Sequence, residues 1–327
     1  MKITLVMASD EEGGLEKHVL ELAEGLAEFH SVTLIAHLKF QTEVSAQVNF
    51  VAFDMSGSRY NPWTKYQLKK TILATQPDIL HAHASKTAKL LQGLTKQFHF
   101  PCVVTVHGKK KSNQAYFAFD HIIAVSRSVA DILNQPNKTT VIYNGTKISI
   151  TATAFQKNRK FIAIGRLNEV KGFDLLLDAW KDIPHRLSIV GEGEERSKLE
   201  QRIQQNQLSD RVTLLGYRQD IHSLISEHEA LIVSSLREGG PYTLAESLLL
   251  QRPVLGTNVG MMAEFVPADF LCETGSSISL NNLIGNYLLG DDPSIFFTTA
   301  YERAKEQLTF QKMIEHTIKT YQNLLRS

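Results

Sequence analysis

Cysteine, long apolar runs and a surplus of either charge are all scarce in this chain. There are two cysteines, Cys102 and Cys272, with no CxxC pair and no Cys/His pattern around either. That argues against a disulfide framework and against a metal site. No run approaches 18 apolar residues, so no spanning helix is expected. The opening apolar stretch is short and runs into Asp10, Glu11 and Glu12, which suits a first strand better than a secretion signal. A protein of the reducing cytoplasm is the expectation. The formal net charge is +1 and no basic motif is read as interleaved with aromatics, so no nucleic-acid partner is expected.

What is present is the composition of an ordinary globular chain, 43% hydrophobic and 21% charged. A length of 327 residues fits two domains, each able to bury a core. Charge is uneven along it. Residues 29–150 hold 14 Lys+Arg against 5 Asp+Glu, net +9, and residues 151–327 hold 19 against 22, net −3. Such a split turns one half toward an anionic partner. Short β-branched runs alternate with helix-spaced apolar positions such as Leu15, Val19, Leu22, Ala23 and Leu26. The alternation predicts an α/β chain of two doubly wound parallel sheets, over 1–150 and 151–305, with a polar link at 146–159. The end of the chain, 306–327, reads as helix with no strand after it. Such sheets bind ligands beyond the carboxyl ends of their strands. If the two sets of ends face each other, the cleft between the domains is the site.

Several motifs stand just after strands. Residues 10–15 join the first strand to the first helix through Gly13 and Gly14. That lets backbone approach an anion at a helix N-terminus, although a plain tight turn reads the same way. Arg166 follows a strand and Lys171 precedes the next helix. The two converge on a polyanion, or are two solvated cations. Glu238 and Glu246 bracket a Gly239-Gly240-Pro241 turn. Their spacing alone is weak, because Glu16/Glu24 and Glu192/Glu200 share it. Only the third pair places one carboxylate in a loop and the other about two turns along the following helix, which suits the hydroxyls of a sugar and a ribose. His107, followed by Gly108, ends an apolar strand and is either a sugar or phosphate donor or a structural histidine. Lys65, Lys69, Lys70, Lys86, Lys89, Lys109, Lys110 and Lys111 are a solvated surface or a patch for an anionic acceptor or membrane.

Taken in order, GGLEKHVLELAEGLA from residue 13, TVHG at 105–108, AVS at 124–126, YNGT at 143–146, GRLNEVKG at 165–172, IVGEGEER at 189–196 and REGGPYTLAES at 237–247 form one set. It resembles the retaining, nucleotide-sugar-dependent glycosyltransferases of family 4, which have the GT-B fold. The resemblance implies two Rossmann-like domains facing a cleft, with a C-terminal helix over 306–327 packing back on the N-terminal domain. It implies an acceptor bound by 1–150 and a nucleoside-diphosphate sugar bound by 151–305, a UDP-sugar first, with GDP- or ADP-sugar open. Arg166 and Lys171 would hold the diphosphate, Glu246 the ribose and Glu238 the transferred sugar, with His107 near the reacting carbon. Gly13, Gly14, Gly191, Gly193, Tyr217, Arg218, Gly239, Gly240, Tyr242 and Thr243 complete the implied donor-binding set.

No cofactor is implied, and the absence of a DxD triplet fits a leaving group stabilised without metal. The implied activity is hexosyl transfer with retention to a bacterial envelope glycan or glycolipid. A lipopolysaccharide core-like acceptor at the inner face of the cytoplasmic membrane is expected first. Two departures are visible. Gly240-Pro241 stand where the family often has Phe-Gly after Glu-Gly, and Pro241 removes one backbone donor; Thr146-Lys147 stand where it often has Val-Asp. A nucleotide-sugar epimerase of the same architecture, or a non-catalytic sugar-nucleotide binder, would share most of these features.

Overall fold

A computed structural model of the protein describes residues 1–11, 13–108, 112–290 and 292–326. Lys109, Lys110 and Lys111 of the basic set lie outside the described residues. The chain divides into two compact units, Met1–Asn144 with Phe310–Ser327, and Gly145–Thr309.

Unit 1 runs β1 (Lys2–Met7), α1 (Gly14–Ala27), β2 (Ser31–Ala36), β3 (Asn49–Ala52), α2 (Pro62–Ala74), β4 (Ile79–His83), α3 (Ala84–Leu91), β5 (Cys102–Val106), β6 (His121–Ala124), α4 (Arg127–Leu133) and β7 (Thr139–Val141). Unit 2 runs β8 (Lys160–Ile164), α5 (Phe173–Ala179), β9 (Arg186–Val190), α6 (Arg196–Gln205), β10 (Val212–Gly216), α7 (Ile221–Glu227), β11 (Ala230–Val233), α8 (Tyr242–Leu249), β12 (Val254–Thr257), α9 (Met262–Phe265), β13 (Leu271–Cys272), α10 (Ser277–Leu289) and α11 (Ser294–Gln307). The chain then returns to unit 1 as α12 (Phe310–Arg326).

Both sheets are parallel. Their orders are β3-β2-β1-β4-β5-β6-β7 and β10-β9-β8-β11-β12-β13. Each order therefore reverses once, between β1 and β4 in unit 1 and between β8 and β11 in unit 2. The reversal opens a crevice at the carboxyl ends of those strands, because the connections leave on opposite faces. The unit 1 strands are apolar almost throughout because helices cover both faces. Ile3, Leu5 and Met7 pack under α1 and α12. Val6, Ile35 and Val104 pack against α2, α3 and α4. A Cβ at Gly25 would fall 2.6 Å from both Phe310 and Ile314, so this glycine sets how closely α12 lies on α1.

The division falls at Asn144 and Thr309 rather than at 150 and 305, for a physical reason. The polar link is strapped to unit 2. Ser149 bonds to His222 of α7, and Asn158 donates to the Glu227 carbonyl at 2.9 Å. The fully buried Arg252 donates to the Thr153 carbonyl and hydroxyl at 3.1 and 2.6 Å. At the other end, Phe310 is the first residue to enter the unit 1 core. α3 ends at Leu91, because Gly93 two residues on takes a left-handed φ of 85° and turns the chain.

Candidate active site

In unit 2 the topology brings the charged residues together. Arg166 and Lys171 lie on the β8–α5 connection and Glu238 on the β11–α8 connection. β8 and β11 are neighbours at the reversal. Lys171 Nζ donates to Glu238 Oε1 at 2.6 Å, both side chains half-buried. Ser235 Oγ donates to the same oxygen at 2.7 Å, and Ser234 Oγ donates to the Lys171 carbonyl at 2.8 Å. The half-buried Arg166 stands on the same connection as Lys171. An arginine fork and a lysine point charge on one connection are suited to a diphosphate. A carboxylate already seated on the lysine is suited to hydroxyls beside it.

The neighbouring β9–α6 loop braces this connection. A Cβ at Gly191, whose φ is +137°, would sit 1.9 Å from the Gly165 carbonyl oxygen. Leu167 N donates to the Glu192 carbonyl at 2.8 Å, and Glu195 N to the Leu167 carbonyl at 3.0 Å. Gly193 packs against Leu167 in the same way. Both glycines thus have a backbone-packing role beside Arg166.

Glu246 lies within α8 and is 3% exposed. His222 Nε2 stands 3.7 Å from its Oε1. His222 Nδ1 accepts from the Ser149 backbone N–H at 3.2 Å, so in the neutral ring the proton sits on Nε2, toward the carboxylate. The sequence reading contained neither Ser149 nor His222, since nothing in their spacing ties them to Glu246. Gly239 accepts from Met261 N at 3.0 Å, Tyr242 is buried and Thr243 is half-buried at the start of α8. Gly240 lies half-buried in the preceding turn. Tyr217 is exposed. Arg218 is committed to Asp220 at 2.8 and 2.5 Å on the surface, which holds the Arg218 pKa up and the Asp220 pKa down.

In unit 1, Gly13 caps α1 in extended backbone and Gly14 is its first residue. His107 follows β5, His83 ends β4 and His18 faces them from α1. The His18 ring is edge-on to His107 with centroids 4.7 Å apart, and His83 is 5.9 Å from His107. Burial lowers the His18 pKa to about 4, against a smaller upward pull from Asn144. Burial, then the neighbouring imidazoles, holds His83 well below the ordinary range. His81 sits behind them, bonded through Nδ1 to the Tyr321 hydroxyl of α12 at 2.5 Å and through Nε2 to Thr105 Oγ1 at 2.7 Å. His18 and His83 were absent from the sequence reading. They stand far apart in the chain, and only the fold of β4, β5 and α1 gathers them.

The basic positions divide between two helices. Lys65, Lys69 and Lys70 lie on α2, and Lys86 and Lys89 on α3. Lys69 donates to Gln97 at 2.7 Å. Aromatics do interleave here, contrary to the sequence reading. Tyr60, Trp63 and Tyr66 are all exposed, and Trp63 stacks on Tyr66 with centroids 5.8 Å apart. Beside them a groove of about 500 Å³ is lined by residues 56–60, including Arg59 and Tyr60, and by Lys86. Among the described residues no helix is long and apolar enough to cross a membrane.

Comparison with known proteins follows the same division. Residues 12–149 match the family model Glycosyltransferase Family 4, and residues 145–295 match Glycosyl transferases group 1. An uncharacterized glycosyltransferase of Methanocaldococcus jannaschii is 27% identical over 289 residues, covering 78% of each chain. The Escherichia coli UDP-Gal:alpha-D-GlcNAc-diphosphoundecaprenol alpha-1,3-galactosyltransferase is 27% identical over 258 residues, 66% of each chain. The Anabaena protein HepE, solved in complex with UDP-glucose, superposes with a TM-score of 0.82 at 23% identity, covering 99% of this chain and 100% of that one. The two family models together take in residues 12–295, and with two Rossmann-like sheets in the GT-B arrangement of strands they make this chain a family 4-like glycosyltransferase.

Proposed function

We propose that the protein transfers a sugar, with retention, from a UDP-sugar to a hydroxyl of an anionic, lipid-linked saccharide. The observation that carries the donor half is the Lys171–Glu238 pair at the strand-order reversal of unit 2, with Arg166 on the same connection. The leaving nucleoside diphosphate gathers negative charge, which Arg166 and Lys171 offset without a metal. Glu238 accepts from hydroxyls of the transferred sugar and Glu246 from those of the ribose. In a retaining reaction the acceptor attacks from the face the leaving group departs, and a phosphate oxygen takes its proton. UDP as the nucleotide draws support from the UDP-Gal donor of the E. coli relative.

Two outcomes test the donor assignment. Glu246→Ala is expected to raise the Kd for UDP by about 10- to 100-fold, the loss of a hydrogen bond to a charged group. Glu238→Ala is expected to keep UDP binding, because it releases Lys171 to the diphosphate, while slowing transfer. Calorimetry with UDP, GDP and ADP on both variants decides. Unchanged binding of all three to Glu246→Ala would remove the ribose role. Proton NMR of the product anomeric centre tests retention.

The acceptor half draws on unit 1. Its basic helices carry exposed Trp63 and Tyr66, a pairing of cations and amphipathic rings suited to the headgroup region of a membrane. The E. coli relative acts on a diphosphoundecaprenol-linked sugar, a lipid-linked anion, and a lipopolysaccharide core glycolipid has the same chemistry. The working place is then the cytoplasmic face of the cell membrane. Each lysine near an anionic bilayer contributes about 1 kcal/mol. Co-sedimentation with anionic vesicles is expected at low salt and release as salt rises. Equal partition to neutral and anionic vesicles, or none to either, would reject the membrane part alone.

A further inference from the structure

We propose that His18, His83 and His107 form a binding site for a divalent transition-metal ion of the zinc class. One ring nitrogen from each lies within 4.8 Å of the other two. Three nitrogens at about 2.0–2.1 Å from one tetrahedral ion stand roughly 3.4 Å apart, so the rings close by little more than about 1 Å. His18 approaches from α1 and the other two from the ends of the adjacent strands β4 and β5, which places the rings around a common point. Among the described residues this is the one group of three or more His, Cys, Asp or Glu side chains whose ligand atoms converge so closely.

A second observation points the same way. His83 is 1% exposed, and neither of its ring nitrogens has a hydrogen-bond partner among the described residues. Buried polar atoms are nearly always satisfied, and an ion at the centre of the group would satisfy one nitrogen of this ring. The all-imidazole set selects zinc, copper or nickel over magnesium or calcium, which take oxygen ligands. Burial already keeps His18 and His83 in the neutral form that binds metal. Three protein ligands leave a fourth position for water. One consequence rests on the functional reading above, in which His107 addresses the transferred sugar. An ion held there occupies that ring, so Zn²⁺ slows transfer without weakening UDP binding.

The test uses the full chain stripped of metal. Zn²⁺ is titrated by calorimetry, and Co²⁺ is added while the visible spectrum is followed. One equivalent with a Kd of about 1 μM or tighter and a tetrahedral Co²⁺ spectrum are expected. His18→Leu, His83→Leu and His107→Ala are each expected to weaken Zn²⁺ by about tenfold or more, with thermal unfolding recorded to establish that each variant is folded. Wild-type affinity in all folded variants would put the ion elsewhere and overturn the site, as would no binding to the wild type at about 100 μM. If Zn²⁺ binds through the three rings and transfer is unaffected, the metal site stands and the sugar-binding role of His107 falls.

Discussion

Arg166→Ala and Lys171→Ala are each expected to lower kcat/KM for sugar transfer by about 100-fold or more. Removing one preorganised donor from developing negative charge typically costs about 10²–10³ in rate, and each of these side chains carries a full charge. The connection that holds them is rigid. Ser234 anchors the Lys171 carbonyl at 2.8 Å, and the Leu167 backbone is tied on both sides to the β9–α6 loop. A charge on such a frame needs little reorganisation when the leaving group forms, so its loss appears in kcat. The two variants should also differ. Lys171 is paired with Glu238 at 2.6 Å, so Lys171→Ala leaves a half-buried carboxylate beside the diphosphate. That repulsion weakens UDP binding as well as transfer, and Lys171→Ala with Glu238→Gln should recover part of the binding and none of the rate. Steady-state kinetics with a UDP-sugar, and calorimetry with UDP, separate the two effects. Near-normal kcat/KM in both single variants would show that the diphosphate sits elsewhere.

That Lys171 and Glu238 stand at the same end of one sheet was legible in the chain because parallel sheets obey a topological rule, whereas the ion pair between them was not. Both residues stand in connections that follow apolar strands, and the rule places such connections at one end of the sheet. The sheets themselves were legible for a related reason. Strands buried on both faces read as apolar runs, as in residues 3–7 and 103–106. What stayed hidden depends on side-chain partners that have no fixed spacing. His222 reaches Glu246 from another helix, and His18 reaches His107 from α1. Arg252 ties down the link at Thr153, and no local pattern marks that a polar stretch will be strapped to the domain that follows it. The aromatics at 60, 63 and 66 were in plain view. Their surface role is not legible from spacing, because the exposure of Trp63 and Tyr66 appears only once α2 is placed with Leu68 and Ile72 inward.

Tyr321→Ala is expected to destabilise unit 1 by about 4–8 kcal/mol, a large part of the stability of an ordinary domain. Tyr321 is fully buried in the layer formed by α1 and α12 beneath the sheet. Truncating a buried aromatic side chain costs about 3–5 kcal/mol. The substitution also strips His81 Nδ1 of its 2.5 Å partner, and a buried nitrogen left unsatisfied adds about 1–3 kcal/mol. Tyr321→Phe isolates the second contribution, since it keeps the ring and loses only the hydroxyl. Its expected cost is therefore about 1–3 kcal/mol. Because the residue is contributed by the last helix, the loss should fall on unit 1 and spare Gly145–Thr309. Urea unfolding measures the size of the effect, and hydrogen exchange measures its place. Amides of β4 and β5 should lose protection in Tyr321→Ala, while those of β8 and β11 keep theirs. Wild-type protection of β4 and β5 in that variant would mean that α12 adds little to the fold of the unit on which it lies.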